Sequence, residues 1–161
     1  MTNIFLNSYE QRENKLTYNF LALLEHLDVR LATEILVPSG IPPGFERLRI
    51  ENFVYSGGKA NPDGCFLLDR PGSSLTVFFE NKTPRRPLDI EQIRRHIRVR
   101  LNDSPDRRLL VITADGEDRK ELAALGDSRI HFLTWHQIAA SAERLAREAT
   151  DSKDQFLLRR L

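Results

Sequence analysis

Residues 62–82 read PDGCFLLDRPGSSLTVFFENK, and this stretch carries the clearest local structural signal in the chain. Two β-prone runs, 65–69 and 75–82, flank the turn-rich segment 70–74. Runs of this composition, separated by a loop that contains Pro and Gly, are typical of an antiparallel hairpin. The sequence therefore predicts two adjacent strands joined by a short loop.

The predicted hairpin brings three charged residues together. A turn centred on Pro71 and Gly72 places Asp63 opposite Glu80, and directly opposed residues project to the same face of a sheet. Lys82 lies two residues beyond Glu80 on the same strand and therefore shares that face. The three side chains are expected to form one patch. A slip of one residue would break the arrangement, and a five-residue loop does not fix the register by itself.

This charged patch has the composition of a metal-dependent phosphate site. Two neighbouring carboxylates repel each other unless a cation neutralises them. Mg²⁺ and Mn²⁺ take one or two carboxylates together with phosphate oxygens, so Asp63 and Glu80 are candidate metal ligands. The ammonium of Lys82 would orient a water or neutralise charge on a phosphate. The alternative is a surface Glu–Lys pair at a strand end, with Asp63 capping a turn.

The elements around the hairpin predict a mixed sheet with helices on its faces, an α/β class. Before the hairpin, the pattern indicates a helix over Tyr9–Leu27, a short β-prone run over Thr33–Val37 and an extended segment through residues 48–55. After it, strands and helices alternate. They are a helix over 88–101, a strand over 109–113, a helix over 118–125, a strand over 130–135 and a helix over 137–149.

Length and composition indicate one domain over residues 1–161. The chain is 40% hydrophobic, too apolar for disorder, and no apolar run approaches the ~20 residues of a membrane helix. Its start lacks the features of a secretory signal. Cys65 is the only cysteine, which favours a reducing compartment and a cytoplasmic protein. Residues 150–161 are interpreted as a docking helix, a dimer contact or the edge of a longer protein.

The residues Pro62-Asp63 and Glu80-Asn81-Lys82 resemble the motif of the PD-(D/E)XK nuclease superfamily. In that family an Asp opens one strand of a hairpin and a (D/E)-x-K closes the next. The resemblance covers roughly residues 9–135. It implies a restriction-endonuclease-like fold, a mixed central sheet flanked by helices. Asn81 departs from the family pattern, where a small or apolar residue is common, and its side chain is expected to point away from the site.

The resemblance implies further site residues. Glu13 lies in the apolar stripe of the first helix, where a carboxylate needs a partner or a metal, and many family members place a metal-binding Glu there. The alternative is that Glu13 lies at the edge of the stripe beside Arg12 or Lys15. Gln92 matches the first residue of a family Gln-x-x-x-Tyr pattern and is expected to orient Lys82, a water or a phosphate. The fourth position is His96 instead of Tyr, so only Gln92 carries over.

Basic residues surround the predicted site, although the whole chain carries a net charge of only +1. Arginine contacts to phosphates provide affinity without sequence information. The expected phosphate contacts are Arg85, Arg86, Arg94, Arg95 and Arg98. The last three are expected on the exposed side of the helix over 88–101, because its apolar residues Ile93, Ile97 and Leu101 must be buried. The alternative is a solvated helix face with arginines paired to acids such as Glu91.

Together these features predict a nuclease that uses Mg²⁺ or Mn²⁺ to hydrolyse phosphodiester bonds. DNA is the favoured substrate over RNA because most family members cut DNA, and the family suits restriction, defence or repair. A homodimer or partner domain is compatible with this interpretation. The alternatives are a catalytically inactive subunit that keeps the fold and binds nucleic acid, and a generic α/β protein-interaction domain.

Overall fold

The computed structural model describes residues 13–52, 62–82, 88–102, 104–114 and 116–161, without the side chains of residues 13–15, 18 and 52. Within these ranges a mixed sheet carries helices on both faces. The helices are α1 (Glu13–His26), α2 (Val29–Leu36), α3 (Ile90–His96), α4 (Arg119–Ala123), α5 (Trp135–Glu148) and α6 (Ser152–Leu158). A 3₁₀ turn (Val37–Ser39) follows α2, and a π-helical segment (Ile97–Leu101) continues α3.

The sheet has five strands in the spatial order of the sequence. The strands are β1 (Arg47–Asn52), β2 (Gly64–Arg70), β3 (Ser73–Asn81), β4 (Arg107–Thr113) and β5 (Ile130–Thr134). Strands β1, β2 and β3 pair antiparallel, whereas β3, β4 and β5 pair parallel. The parallel half requires crossovers, which the helices supply. The predicted α/β arrangement of a mixed sheet with flanking helices is confirmed.

The hairpin has the predicted register. Gly64 is paired with Phe79, and the ladder continues in step to the turn. The loop is shorter than expected, because residues 73 and 74 belong to β3 and pair with the end of β2. Only Pro71 and Gly72 remain as the turn, and Gly72 has a φ of 75°. Glycine adopts this left-handed conformation without steric cost, which explains why the turn can be so tight.

The two faces of the sheet have separate cores. On one face, α1, α2, α5 and α6 contribute to a large cluster, in which Phe20 makes edge-to-face contacts with Phe66 and Trp135. On the other face, α3, its π-helical continuation and α4 pack in a smaller cluster that includes Ile93, Leu101 and residues of β4. The side chains of β4 from Leu109 onward are fully or almost fully buried, as expected for a strand covered on both faces.

The β-prone interpretation of Thr33–Val37 is wrong. This segment lies in α2 and the 3₁₀ turn after it. The carboxylate of Asp28 caps α2 by accepting the backbone N–H of Arg30 at 2.9 Å, and a cap of this kind favours the helix. Leu31 and Ile35 lie one turn apart on the buried face. Helical spacing and the cap outweigh the local preference of Thr33 and Val37 for extended structure.

Other boundaries differ by a few residues. Trp135 begins α5 instead of ending β5, because Thr134 and Gln137 form a capping box around the first turn. Residues 9–12 of the predicted first helix and 53–55 of the predicted extended segment lie outside the described residues. In the tail, α6 contacts the core through Leu158 and is tied to the start of α2 by a hydrogen bond from the Asp28 N–H to Asp154. In the described part of the chain, no helix has the length and apolar character required to cross a membrane.

Candidate active site

A buried ion pair marks the end of β3. Lys82 Nζ lies 2.7 Å from Glu80 Oε1, and the two side chains are only 9% and 3% exposed. Both residues project to the same face because they are two positions apart on the strand. The backbone N–H of Lys82 donates to the carbonyl of Ile112 at 2.7 Å, so the β3–β4 pairing continues up to the lysine. Rigid strand backbone therefore holds both charged side chains.

Gln92 bridges the two members of this pair. Its Nε2 donates to Glu80 Oε1 at 2.6 Å, and its Oε1 accepts from Lys82 Nζ at 3.0 Å. The carboxylate of Asp89 caps α3 by accepting the backbone N–H of Gln92 at 3.1 Å, which fixes the first turn of the helix. Ile93, the next residue, is fully buried in the core and sets the rotation of α3. The cap and the core together direct Gln92 toward Glu80.

His96 completes the set of side chains around Glu80. It lies one turn after Gln92 and is fully buried. Because a carboxylate only accepts, the His96 Nε2–H is assigned as the donor to Glu80 Oε2, at 3.1 Å. Its Nδ1 is buried and has no hydrogen-bond partner among the described residues. Sequence reasoning set His96 aside because it is not Tyr, although its spacing of four from Gln92 already placed it on the same helix face.

The side chains around Glu80 keep its carboxyl group ionised. Burial opposes the charged form and is the largest single effect on its pKa. The hydrogen bond from His96 and the charge and hydrogen bond of Lys82 together outweigh it, so the pKa of Glu80 is lowered from its ordinary value. The site therefore holds a carboxylate at neutral pH, which is the form that binds a cation.

Asp63 lies at the other strand end of the hairpin, directly before the first paired residue of β2. Its backbone N–H donates to the Phe79 carbonyl at 3.0 Å, and its Oδ2 accepts the backbone N–H of Asn81 at 2.8 Å. The side chain is half-buried. The Asp63 carboxylate is thus fixed to the residue that separates Glu80 from Lys82.

The chemistry of this donor set fits a hard divalent cation. Asp63 and Glu80 supply carboxylate oxygens from adjacent strand ends, and Mg²⁺ commonly takes only one or two carboxylates, its other ligands being waters and phosphates. Glu80 Oε2 receives one described hydrogen bond, so a lone pair of that oxygen is left for a cation. Among the residues whose side chains are described, no group of three or more His, Cys, Asp or Glu is arranged to hold a metal ion.

The structure describes only some of the other predicted site residues. Glu13 is the first residue of α1, but its side chain lies outside the description, as do residues Arg85 and Arg86 entirely. Arg94 and Arg98 are exposed on α3 and its continuation, as predicted. Arg94 also pairs with Glu91, which was the alternative interpretation. An ion pair this exposed contributes little and can exchange for a phosphate.

Arg95 differs from the expectation of an outward-facing residue. It is half-buried, and its Nε has no hydrogen-bond partner among the described residues. The helical wheel predicted an exposed side chain, but Arg95 is adjacent to the fully buried His96 and lies at the edge of the buried face. Long side chains at such an edge bury their stems against the core.

The fold is similar to that of a known nuclease. No protein-family model and no curated protein matches this chain. A solved structure of the MspJI restriction endonuclease in complex with a 27-mer oligonucleotide is similar over 98% of this chain, with a TM-score of 0.52 and 16% sequence identity. This chain corresponds to 34% of that chain. The likeness shows that the mixed sheet and its helices form a restriction-endonuclease-like fold.

Proposed function

We propose that this chain is a metal-dependent nuclease that hydrolyses phosphodiester bonds, with DNA as the favoured substrate. The observation that carries the proposal is the buried Glu80–Lys82 pair, bridged by Gln92 at a strand end beside Asp63. Buried ion pairs are costly and poor at stabilising a fold. A buried charged cluster of this kind is better explained by a catalytic role than by a contribution to the stability of the fold.

In this proposal Asp63 and Glu80 hold one or two Mg²⁺ or Mn²⁺ ions, and Glu13 on α1 is a further candidate ligand. When bound, the cation neutralises charge on the phosphate and lowers the pKa of a bound water. The Lys82 ammonium orients the attacking water or stabilises the charge that develops on the phosphate. Gln92 holds Lys82 in place through the 3.0 Å hydrogen bond to its Nζ.

The surface beside the site supports a nucleic acid as partner. Arg94 and Arg98 are exposed on the helix that carries Gln92, and Arg85 and Arg86 precede that helix in the sequence. Phosphate contacts from these arginines would guide a backbone toward Glu80 without reading its sequence. The restriction endonuclease of similar fold was solved with an oligonucleotide. The resemblance to the nuclease superfamily suits a role in restriction, defence or repair.

The direct test is cleavage of supercoiled plasmid and of single-stranded DNA with Mg²⁺, with Mn²⁺ and with EDTA. We expect metal-dependent cleavage by the native chain and its loss in Asp63→Ala and Lys82→Met. Asp63→Asn is more informative, because its amide oxygen can still accept the Asn81 N–H while the charge is gone. We expect Asp63→Asn to fold normally and to cleave about 100-fold more slowly. Each factor of ten corresponds to a rise of roughly 1.4 kcal/mol in the activation free energy.

The matched control is Lys120→Met, which removes an exposed lysine on α4 and is expected to cleave normally. A native chain that binds DNA but neither binds Mn²⁺ nor cleaves would be the inactive, fold-retaining subunit. Equal cleavage by native protein and Asp63→Asn would reject the assigned site.

A further inference from the structure

We propose that Asn81, the residue between Glu80 and Lys82, is a positioning residue that locks the metal site to the helices on the opposite face of the sheet. The inference rests on the proposed function, because it concerns the geometry of the same site. It assigns a role to the one position of the Glu-x-Lys segment that departs from the pattern of an apolar residue.

Asn81 is 1% exposed and its side-chain amide is held on both sides. Its Nδ2 donates to Thr17 Oγ1 on α1 at 3.1 Å. Its Oδ1 accepts the indole Nε1–H of Trp135, the first residue of α5, at 3.1 Å. Thr17 is fully buried and Trp135 is 8% exposed. We refer to Thr17, Asn81 and Trp135 as the amide network.

The main chain of Asn81 faces the site at the same time. Its N–H donates to Asp63 Oδ2 at 2.8 Å, so one residue fixes a candidate metal ligand with its backbone and two helices with its side chain. Because successive side chains on a strand alternate between faces, Glu80 and Lys82 project opposite to the Asn81 amide. Any displacement of Asn81 therefore moves both members of the ion pair and the Asp63 carboxylate together.

A purely structural need would be met more simply by an apolar residue. A buried amide is stabilising only if its donors and acceptors are satisfied, and here that requires α1 and α5 to sit at one defined position relative to β3. Glu13 lies four residues before Thr17 on α1, so the hydrogen bond to Thr17 also fixes the helix that carries the third candidate ligand. The network thus sets the relative position of the three elements that carry Glu13, Asp63 and Glu80.

The test removes a single hydroxyl. Thr17→Val deletes the hydrogen bond to Asn81 while keeping the shape of the side chain. The matched control is Thr33→Val, which deletes another fully buried hydroxyl, bonded to the Arg30 carbonyl at 3.0 Å on α2. Both variants lose one buried hydrogen bond, so melting temperatures measure the shared structural cost. Calorimetric titration with Mn²⁺ alone measures the effect on the site without relying on activity.

We expect Thr17→Val to weaken Mn²⁺ binding by about 10- to 100-fold, the range found for outer residues that orient metal ligands, and Thr33→Val to leave it unchanged. Trp135 is the only tryptophan in the chain, so its indole N–H gives a single signal in NMR spectra. That signal should shift when Mg²⁺ is added to the native protein and should no longer respond in Asn81→Leu.

Two results would overturn the inference, and they are distinguishable. If native protein binds Mn²⁺ and cleaves DNA but Thr17→Val behaves like Thr33→Val, the amide network is only part of the core and the nuclease proposal stands. If native protein neither binds Mn²⁺ nor cleaves, both proposals are rejected together. Should Asn81→Leu fail to fold, the comparison of the two threonine variants still decides the question.

Discussion

Lys82 neutralises Glu80 inside the protein, with 2.7 Å between Nζ and Oε1 and less than a tenth of either side chain exposed. Removing one member of such a pair leaves a buried charge without its partner, which typically costs 3–5 kcal/mol. We expect Lys82→Met to lower the free energy of unfolding by about this amount, measured by urea denaturation at neutral pH. Glu80 would keep its hydrogen bonds from Gln92 and His96 but lose the ammonium of Lys82.

The double variant Glu80→Gln, Lys82→Met is the control for this prediction. It removes both charges, so we expect it to be more stable than Lys82→Met alone, with a coupling of about 1–3 kcal/mol between the two sites. Additive losses in the double variant would show that the two charges do not depend on each other, and that the ion pair adds nothing to folding.

The exposed arginines of α3 and its continuation predict a salt effect. If Arg94 and Arg98 contact phosphates, each contributes about 0.9 to the slope of log affinity against log salt concentration. We expect the double variant Arg94→Gln, Arg98→Gln to reduce the slope by about 2 and to weaken binding of all DNA sequences alike. Fluorescence anisotropy with labelled DNA in EDTA, which withholds the divalent cation that the proposed cleavage requires, would measure both quantities.

A matched control for charge exists on α5, on the other face of the sheet. Arg144 and Arg147 are exposed and pair with acids one turn away, as Arg94 does with Glu91. Changing both to Gln removes the same charge. If this control flattens the slope as much as the α3 variant, the effect is one of net charge and the phosphate path lies elsewhere.

Gly64 predicts a steric limit beside the site. A Cβ at this position would lie 2.6 Å from Phe79 Cε1 and 2.8 Å from the Glu51 carbonyl oxygen. The carbonyl belongs to the backbone of β1 and cannot move cheaply. We expect Gly64→Ala to cost about 1–3 kcal/mol and to disturb the neighbouring Asp63. Gly116→Ala, where a Cβ meets nothing within 4 Å, should keep or slightly raise the melting temperature, because alanine loses less chain entropy on folding than glycine. Equal losses in the two variants would contradict the steric explanation.

Asp127 predicts a pH dependence of stability. The hydrogen bonds from Arg129, at 3.0 and 2.8 Å, lower the pKa of Asp127 from its ordinary 3.8, against a smaller opposing effect of burial. A carboxyl with a depressed folded-state pKa contributes stability above its unfolded pKa and loses it as the pH falls through the folded value. Native protein should therefore melt above Asp127→Asn at neutral pH. The difference should begin to shrink as the pH falls below about 3.8 and should vanish only below the lowered folded-state pKa. A pH-independent difference would assign the effect to hydrogen bonding alone.

The features predicted from sequence are those that local rules determine. The hairpin register follows from Pro71-Gly72 and the alternation of the two strands, whereas Gln92 was implied by the resemblance to the nuclease motif. The amide network could not be predicted from the sequence, because Asn81 is separated from Thr17 by 64 residues and from Trp135 by 54. No pattern within a short window indicates contacts of that range.

Two other positions show where local signals are ambiguous. Residues 33–37 are rich in β-prone residue types, but Ile35 also continues an apolar spacing of four that begins at Leu31. Tertiary burial of Leu31 and Ile35 decides between the two. From its type alone, His96 could lie on the surface or in the core. Its complete burial is explained by Glu80, a buried carboxylate on a different element that accepts a hydrogen bond from the ring.

The change of strand direction at β3 has a consequence for the order of folding. Strands β2 and β3 join through a two-residue turn, and hairpins of this kind form in microseconds. Strand β4 can pair with β3 only after the long crossover between them has folded back onto the sheet. Such non-local contacts form slowly. We expect pulse-labelled hydrogen exchange to protect the hairpin before α3 docks. Glu80 and Lys82 would then stay hydrated until the helix that carries Gln92 and His96 arrives, so that desolvation of the two charges coincides with the arrival of their remaining hydrogen-bond partners.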